Sequence, residues 1–346
     1  MDLKSNVNND ILHVSFNQDN TCLAVGTQTG FFVCDTNPLN LRFTRQFDEG
    51  IGIVEMLFRC NILALVGGGN RPRYQPNCVM IWDDHQERKI AELEFRSPVK
   101  AVKMRRDRIV VALESKIYIY NFEDLRLIGQ QDTAGVKLGL VALSPTSSNI
   151  VLAFPSPTVG EVRWLTSDAH NPELPKTKLV TDSALEQLAL DPSGTRLAVT
   201  SGKGTLIRIL NLQSGTEVEM TTYRRGTTNA TIQCLAFSAD SAFLACTSDH
   251  GTVHVFHLES TSSSSTYFGM LTGTSEPRAV ASHRVPESHS ICAFVPSNGD
   301  DVGSDRKVLV VLGASGCYYT LEIVKKSDGA FAINDLHNGE PRSFLP

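Results

Sequence analysis

The chain has 346 residues, 41% of them apolar and 20% charged, the ordinary composition of a globular protein with ample material for a core. Lys and Arg total 32 and Asp and Glu total 37, so the formal net charge is −5, and binding of nucleic acid through bulk charge is not expected. No apolar run approaches the roughly 18 residues that span a bilayer. The polar start, MDLKSNVNND, does not resemble a secretion signal, so a cytoplasmic protein is expected.

The first elements along the chain are short strands. Residues 11–35 hold three alternating apolar and polar runs, separated by turn residues such as Asn17, Asn20 and Gly30. The same form returns at 188–210 and 234–256, with weaker copies at 54–82, 99–120, 141–164 and 291–321. The chain is therefore read as repeats of one unit.

The central strand of each unit measures the period of the repeat. These positions are spaced by 40 to 47 residues, apart from a last interval of 65: Leu23, Leu63, Val110, Leu152, Leu197, Leu244 and Leu309. Units of about 40–45 residues with four short strands are typical of β-propellers. Seven units predict an all-β, seven-bladed, WD40-like propeller that occupies residues 1–346 as a single domain.

The long last interval indicates an inserted loop at about 259–287. It is rich in Ser, Thr and Gly, with four larger apolar side chains embedded: Tyr267, Phe268, Met270 and Leu271. A loop of this length is unusual inside a compact domain and is often either functional or disordered. Two interpretations stay open: an idle disordered loop, or a loop whose apolar residues enter a membrane interface.

Catalytic and metal-binding patterns are weak. The eight cysteines form no CxxC pair and are too dilute for a disulfide scaffold, so reduced thiols and no zinc site are expected. The glycines at 67–69 lack the Lys-Ser/Thr of a phosphate-binding P-loop, and Asp83-Asp84-His85 is typical of a solvent-facing turn. We expect a protein that is not an enzyme and has no cofactor or metal.

The sharpest local feature is an arginine pair in the sequence YRRG, residues 223–226. Adjacent residues of an extended chain point to opposite sides, so Arg224 and Arg225 are expected to face two neighbouring blades. Arginine presents a planar fork of donors that suits phosphate oxygens.

Two similar runs flank the pair, SGKGTLIR from residue 201 and SDHGTVH from residue 248. Each places hydroxyl and basic side chains on one strand and its preceding turn. With one arginine each, they would form two donor-rich pockets for a phosphorylated sugar on the rim between blades. Surface Arg, Ser and Thr are also common on β turns, and that plainer interpretation stays open. If His250 or His254 held phosphate as a cation, binding would strengthen as pH falls through about 6.5.

These motifs resemble those of the PROPPIN family, the phosphoinositide-binding propellers called WIPI proteins in animals. YRRG is similar to the family's F/L-R-R-G motif. Further similarity lies in FNQD at 16–19, LALVGGG at 63–69, VMIWDD at 79–84, RRDRIVV at 105–111, KGTLIRI at 203–209 and SDHGTVHVF at 248–256. The segments at 63–69 and 79–84 look most like the smaller WIPI branch, which partners an autophagic lipid-transfer protein.

The resemblance implies two headgroup sites for phosphatidylinositol 3-phosphate and the 3,5-bisphosphate. The first would comprise Arg224, Ser201, Lys203, Thr205 and Arg208. The second would comprise Arg225, Ser248, His250, Thr252, His254, Thr227 and Thr228. The loop with Tyr267, Phe268, Met270 and Leu271 would enter the membrane beside both sites.

The resemblance also implies a protein partner. Asn17 and Asp19 correspond to the position at which relatives hold the lipid-transfer protein, although both residue types favour turns in any protein. We expect a monomer, recruited from the cytoplasm to autophagic or endolysosomal membranes, that scaffolds this partner and binds no nucleic acid. The alternative is a generic WD40-type protein–protein scaffold without lipid binding.

Overall fold

Seven antiparallel sheets form a ring in the computed structural model, which describes residues 10–134, 139–146, 150–167, 175–213, 218–258, 276–296 and 306–345. The prediction of an all-β, seven-bladed propeller is confirmed. All seven predicted central positions fall on the second strand of a blade and are at most 2% exposed. The described residues include no helix that could cross a membrane.

Each blade is built from consecutive strands, ordered from the axis outward. The first blade contains β1 (Ile11–Phe16), β2 (Cys22–Thr27), β3 (Gly30–Thr36) and β4 (Leu39–Gln46). The second contains β5 (Ile51–Met56), β6 (Ile62–Gly67), β7 (Cys78–Asp83) and β8 (Arg88–Glu94). The third contains β9 (Ala101–Arg105), β10 (Arg108–Ala112), β11 (Lys116–Asn121) and β12 (Leu127–Asp132). The fourth contains β13 (Ala142–Leu143), β14 (Ile150–Pro155), β15 (Glu161–Ser167) and β16 (Lys176–Leu179).

The remaining blades follow the same order. The fifth contains β17 (Leu185–Leu190), β18 (Arg196–Ser201), β19 (Leu206–Asn211) and β20 (Glu219–Arg224). The sixth contains β21 (Ile232–Phe237), β22 (Phe243–Ser248), β23 (Thr252–His257) and β24 (Ala281–Arg284). The seventh contains β25 (Ser290–Val295), β26 (Arg306–Gly313), β27 (Cys317–Lys325), β28 (Phe331–Asp335) and the short β29 (Arg342–Ser343), which also pairs with β27.

The core lies between the blades, because every central strand is buried on both faces. In β2, Leu23 and Val25 pack toward the seventh blade, whereas Cys22 and Ala24 pack toward the second. A strand covered on both sides needs a nearly continuous apolar run. This explains why the second strands are the clearest repeat signal in the sequence.

Polar side chains join neighbouring blades at the turns. The Gln18 amide donates to the carbonyls of Met56 (2.6 Å) and Met104 (2.9 Å) and accepts from the Phe58 amide (2.6 Å), so one side chain joins three blades. The fully buried Asp191 accepts from the Ser241 hydroxyl of the next blade at 2.8 Å. Such buried groups stabilise the ring only while their partners remain in place.

The ring closes between the last and first blades. The Tyr318 hydroxyl donates to the Thr36 carbonyl, and the Asn20 amide donates to the Phe294 carbonyl at 3.0 Å. The two blades also share an apolar cluster that includes Phe344. In the described part of the chain, the outer strands of the seventh blade come from the C-terminal region, so closure there rests on side-chain contacts rather than on a shared sheet.

The expected loop at 259–287 is shorter than predicted at its far end. Ala281–Arg284 pair with β23 as the outer strand β24, and Val285 and Glu287 are buried. The membrane-loop residues Tyr267, Phe268, Met270 and Leu271 lie outside the described residues.

Candidate functional site

The turns between the second and third strands of blades five and six both require glycine. Gly204 has φ +58° and Gly251 has φ +64°, a left-handed conformation that side chains with a Cβ rarely adopt. A Cβ on Gly204 would lie 1.9 Å from the Ala230 carbonyl oxygen, and one on Gly251 would lie 2.5 Å from that of Val285. Equivalent turns therefore lie side by side on one flat face of the ring. Because the outer strands also end there, at Arg224 and Arg284, we call it the arginine face.

The two turns differ in length by one residue. Ser248 pairs directly with Thr252 across a turn of three residues. In the fifth blade, β18 ends at Ser201 and β19 begins at Leu206, so four residues separate them. After the turn, equivalent positions of the two blades are therefore offset by one residue from the sequence match. In the structure, His254 is the counterpart of Arg208.

The first candidate site lies on the face of the fifth blade that packs toward the fourth. Val199 and Leu210 on this face share a cluster with Trp164 of the fourth blade, and strand alternation adds Ser201 and Arg208 to the same face. Cross-strand partners share a face. The pairs Leu206–Arg224 and Arg208–Thr222 therefore place both Arg224 and Thr222 there. Sequence reasoning missed Thr222, which only the strand register identifies.

The guanidinium of Arg224 already forms an ion pair with a carboxylate. Its Nε and Nη2 lie 3.0 Å and 2.9 Å from Glu276 Oε2, and its backbone amide donates to the Pro277 carbonyl at 2.7 Å. Hydrogen bonding to its own backbone amide, and then to Arg224, lowers the pKa of Glu276. An anionic ligand would compete with this carboxylate for Arg224.

The other two expected members of the first site lie in the turn. Lys203 is exposed, and the Thr205 carbonyl accepts from the Arg225 amide at 2.9 Å. Thr205 is the extra residue of the longer turn, so its backbone supports the second arginine of the pair rather than the first.

The second candidate site lies on the face of the sixth blade that packs toward the fifth. Leu244, Cys246 and Phe256 share a cluster with the fifth blade, and alternation adds Ser248, Thr252 and His254 to this face. Tyr223 belongs to the same cluster, so Arg225, two residues farther on, follows it at the end of β20. The structure thus separates the arginine pair into two spaces between blades.

The arginine of the second site has hydrogen-bond partners within the protein, whereas a buried hydroxyl there has none among the described residues. Arg225 Nε donates to the Gly204 carbonyl at 2.5 Å, and its Nη2 donates to the Thr228 carbonyl. The Ser248 hydroxyl is fully buried and has no hydrogen-bond partner within the described part of the chain. A buried hydroxyl without a partner is costly, so this atom is suited to a ligand or a water.

The two histidines of the second site differ in burial and in position. Burial, and then the charge of Arg225, lowers the pKa of His254 to about 4, so its imidazole is neutral. His250 lies in the turn before β23 rather than on the strand, 4.0 Å from Asp249. Thr227 and Thr228 are exposed in the segment after Arg225. The expected strengthening of binding through protonation of His254 near pH 6.5 is therefore wrong for this residue.

Arg284 is a second residue that sequence reasoning missed. It pairs with Thr252 just as Arg224 pairs with Leu206, while Ser282 pairs with His254. Arg284 thus takes in the sixth blade the position that Arg224 takes in the fifth. Sequence reasoning missed Arg284 because it lies within residues 259–287, which were predicted to be a loop and not to contain an outer strand.

The expected partner residues divide into one buried and one exposed. Asn17 is 2% exposed; it accepts from the Cys22 amide at 2.9 Å and donates to the Phe58 carbonyl at 3.2 Å, so its role is structural. Asp19 is exposed and lines a cleft of about 540 Å³. The other lining residues are Leu57, Phe58, Arg59, Cys60 and Arg106.

This cleft continues past a stacked pair. The Arg106 guanidinium lies 5.2 Å from the centre of the Phe58 ring. The same two residues also line a second cleft of about 320 Å³ that reaches Pro145 and Thr146. Both clefts are formed by turns between first and second strands, so they open on the face opposite the arginine face. Among the described residues, no group of three or more His, Cys, Asp or Glu side chains could hold a metal ion.

The chain is similar to members of one known protein family. The PROPPIN family profile matches residues 11–273. SVP1-like protein 2 of Schizosaccharomyces pombe is 39% identical over 249 residues, covering 71% of this chain and 67% of that protein. Autophagy-related protein 18 of Dictyostelium discoideum is 34% identical over 277 residues, covering 80% and 73%.

Solved structures share the fold. Kluyveromyces lactis Hsv2 superimposes with a TM-score of 0.79 at 20% identity, covering 97% of this chain and 99% of that one. KlAtg21, solved as a complex with the coiled coil of AgAtg16, superimposes with a TM-score of 0.76 at 23% identity and the same coverage.

Removing the charge of Glu276 is expected to strengthen anion binding at Arg224. Glu276→Gln should bind inositol 1,3-bisphosphate about threefold to fivefold more tightly, the scale of a partly exposed ion pair. Isothermal titration measures the affinity. The gain should vanish in an Arg224→Thr background, and an affinity that is the same with and without the carboxylate would contradict this account.

His254 is expected to make the folded protein less stable in mild acid. The unfolded chain binds a proton near pH 6.5, whereas the folded protein keeps this imidazole neutral until about pH 4, so stability falls as pH decreases through that window. Between pH 7 and 5, wild type should lose about 1 to 2 kcal/mol more unfolding free energy than His254→Gln. Urea unfolding at the two pH values measures the loss for each protein. Equal losses of unfolding free energy in wild type and His254→Gln would show that folding does not lower the pKa of His254.

Proposed function

Because the chain belongs to the PROPPIN family of autophagy-related propellers, we propose that it is a phosphoinositide-binding adaptor with two headgroup sites on its arginine face. The ligands are phosphatidylinositol 3-phosphate and the 3,5-bisphosphate. One observation carries the proposal. Two arginines adjacent in the chain lie on opposite faces of one blade, and equivalent strand and turn positions with hydroxyl side chains lie on each side.

The first site combines two guanidinium groups with hydroxyls. Arg208 and Arg224 share a blade face with Ser201 and Thr222, and Lys203 stands exposed in the adjoining turn. Paired arginine forks suit a phosphate that accepts several hydrogen bonds. The ion pair between Glu276 and Arg224 must break before a headgroup can bind to Arg224, and this lowers the affinity of the first site.

The second site offers neutral donors beside its arginines. Ser248, Thr252 and His254 share one face. Arg284 of β24 pairs with Thr252, and Arg225, just past the end of β20, is close enough for its charge to act on His254. The buried Ser248 hydroxyl gains a partner when a phosphate or inositol oxygen arrives. His254 serves as a neutral donor, since its pKa is about 4.

Two modest sites on one face act together. A headgroup held at one site raises the effective concentration of membrane lipid at the other, so the pair binds far more tightly than either alone. The apolar residues of the loop, Tyr267, Phe268, Met270 and Leu271, would add insertion into the interface. The protein would then move from the cytoplasm to autophagic or endolysosomal membranes without chemistry of its own.

The partner-binding surface is the cleft beside Asp19, on the face opposite the membrane. Its lining joins the aromatic ring of Phe58 to the cations Arg59 and Arg106, which suits a segment with apolar and acidic side chains. We assign it to the autophagic lipid-transfer protein. Because the two functions use opposite faces, the membrane and the partner can be held together. The alternative, a scaffold that binds only proteins, would use this cleft alone.

The lipid proposal predicts the behaviour of arginine variants in vesicle flotation. Wild type should float with vesicles that hold about 3% phosphatidylinositol 3-phosphate and not with phosphatidylserine alone, where only bulk charge acts. Arg224→Thr and Arg225→Thr should each weaken binding about tenfold, and the double variant should abolish it.

Arg126→Thr is the matched control, because it removes one exposed positive charge at the opposite end of an outer strand. It should float like wild type. If wild type stays at the bottom of the gradient, or if the double variant floats, the arginine pair is structural and the protein-only scaffold becomes the better account.

The partner proposal predicts that Arg106→Glu reduces binding of a purified autophagic lipid-transfer protein at least tenfold, the scale of a central interface residue. Flotation with phosphoinositide vesicles should be unchanged, because the cleft lies on the other face. Arg126→Glu provides the same charge reversal outside the cleft. Equal partner binding by wild type and Arg106→Glu, measured by biolayer interferometry, would move the interface elsewhere.

A further inference from the structure

The fourth blade carries an exposed apolar pair that neither headgroup site uses. Val159 and Leu179 are each 61% exposed, more than any other large apolar side chain in the described part of the chain. Leu179 approaches the turn that carries Val159: a Cβ on Gly160, the residue after Val159, would lie 3.4 Å from Leu179 Cδ1. We call this pair the apolar corner. Single exposed apolar residues are common on protein surfaces, whereas contiguous exposed apolar surface more often marks a site of interaction.

The position of the apolar corner aligns it with the arginines. Leu179 is the last residue of β16, as Arg224 is of β20 and Arg284 is of β24. Val159 lies in the turn between β14 and β15, the counterpart of the turns that hold Lys203 and His250. Three successive blades therefore present an apolar pair, then one arginine, then another, along the same face of the ring.

From this alignment we infer that the apolar corner is a further membrane-contact point, which enters the lipid interface beside the first headgroup site. The inference rests on the proposed function, because the two headgroup sites bring this side of the ring to the membrane. Lys176 and Lys178 lie on the same strand as Leu179, and such cations favour an anionic lipid surface. Two side chains are too few for a stable protein interface, which buries on the order of 1,000 Å² or more. They suffice to add to a membrane contact that is already made nearby.

A membrane contact at the apolar corner also fits the geometry of docking. Two headgroup sites on adjacent blades define a line along the rim and leave rotation about that line open. A third point on the fourth blade would fix the tilt of the ring against the membrane. A fixed tilt keeps the opposite cleft accessible to a partner.

A tryptophan placed at the corner tests insertion directly. The two native tryptophans, Trp82 and Trp164, are buried. Leu179→Trp fluorescence should shift to shorter wavelength and be quenched by brominated acyl chains in phosphatidylcholine vesicles that contain phosphatidylinositol 3-phosphate. Leu127→Trp should show neither change, because Leu127 is 48% exposed but begins an outer strand at the opposite face.

Affinity provides the second readout. Val159→Ser/Leu179→Ser should weaken binding to the same vesicles about fivefold to tenfold, the scale of burying two aliphatic side chains in part. Its affinity for soluble inositol 1,3-bisphosphate should equal that of wild type. Leu41→Ser/Leu127→Ser removes similar exposed apolar groups near the starts of outer strands and should leave both affinities unchanged.

The outcomes separate this inference from the proposed function. If wild type floats and binds the soluble headgroup while Leu179→Trp stays unquenched and the double serine variant binds vesicles normally, the apolar corner is not a membrane contact and the headgroup sites stand. If wild type neither floats nor binds the soluble headgroup, both proposals fail.

Discussion

The twofold alternation of side chains along a β-strand is the constraint on which the rest of this molecule depends. In a ring of sheets, each blade has a neighbour on both faces, so alternate residues of one strand belong to different inter-blade spaces. Two consecutive arginines at the end of β20 are thereby directed to two separate clusters. In the proposed function, one short motif thereby serves two headgroup sites without any special backbone conformation at the arginines themselves.

The two pockets share an architecture but not a chemistry. One additional residue in the turn before β19 places Leu206 where the sixth blade has Thr252, and Arg208 where it has His254. The first pocket is consequently richer in charge and is occupied by the Glu276 carboxylate, whereas the second relies on hydroxyls and a neutral imidazole beside its arginines. Such a difference would let one protein respond to lipids of different phosphate content.

Sequence reasoning was most successful where burial dictates the pattern. The seven central strands stand out because both of their faces are covered, and the blade count follows from them. It was weaker where one residue changes the register: Arg208 and His254 are counterparts only in space. Asn17 is of a residue type common in surface turns, but it is buried and hydrogen-bonds to the Cys22 amide of its own blade and the Phe58 carbonyl of the next. Arg284 could not be paired with Thr252 until β24 was seen to continue the sheet beyond the inserted segment.

The central claim is that two separate headgroup sites flank the arginine pair, and the number of ligands bound tests it most directly. Native mass spectrometry with soluble inositol 1,3-bisphosphate counts the bound ligands in the absence of a membrane, so insertion of the loop cannot contribute. The account predicts two ligands on wild type, one on Arg224→Thr, one on Arg225→Thr and none on the double variant. A single ligand on wild type, or two on the double variant, would contradict it.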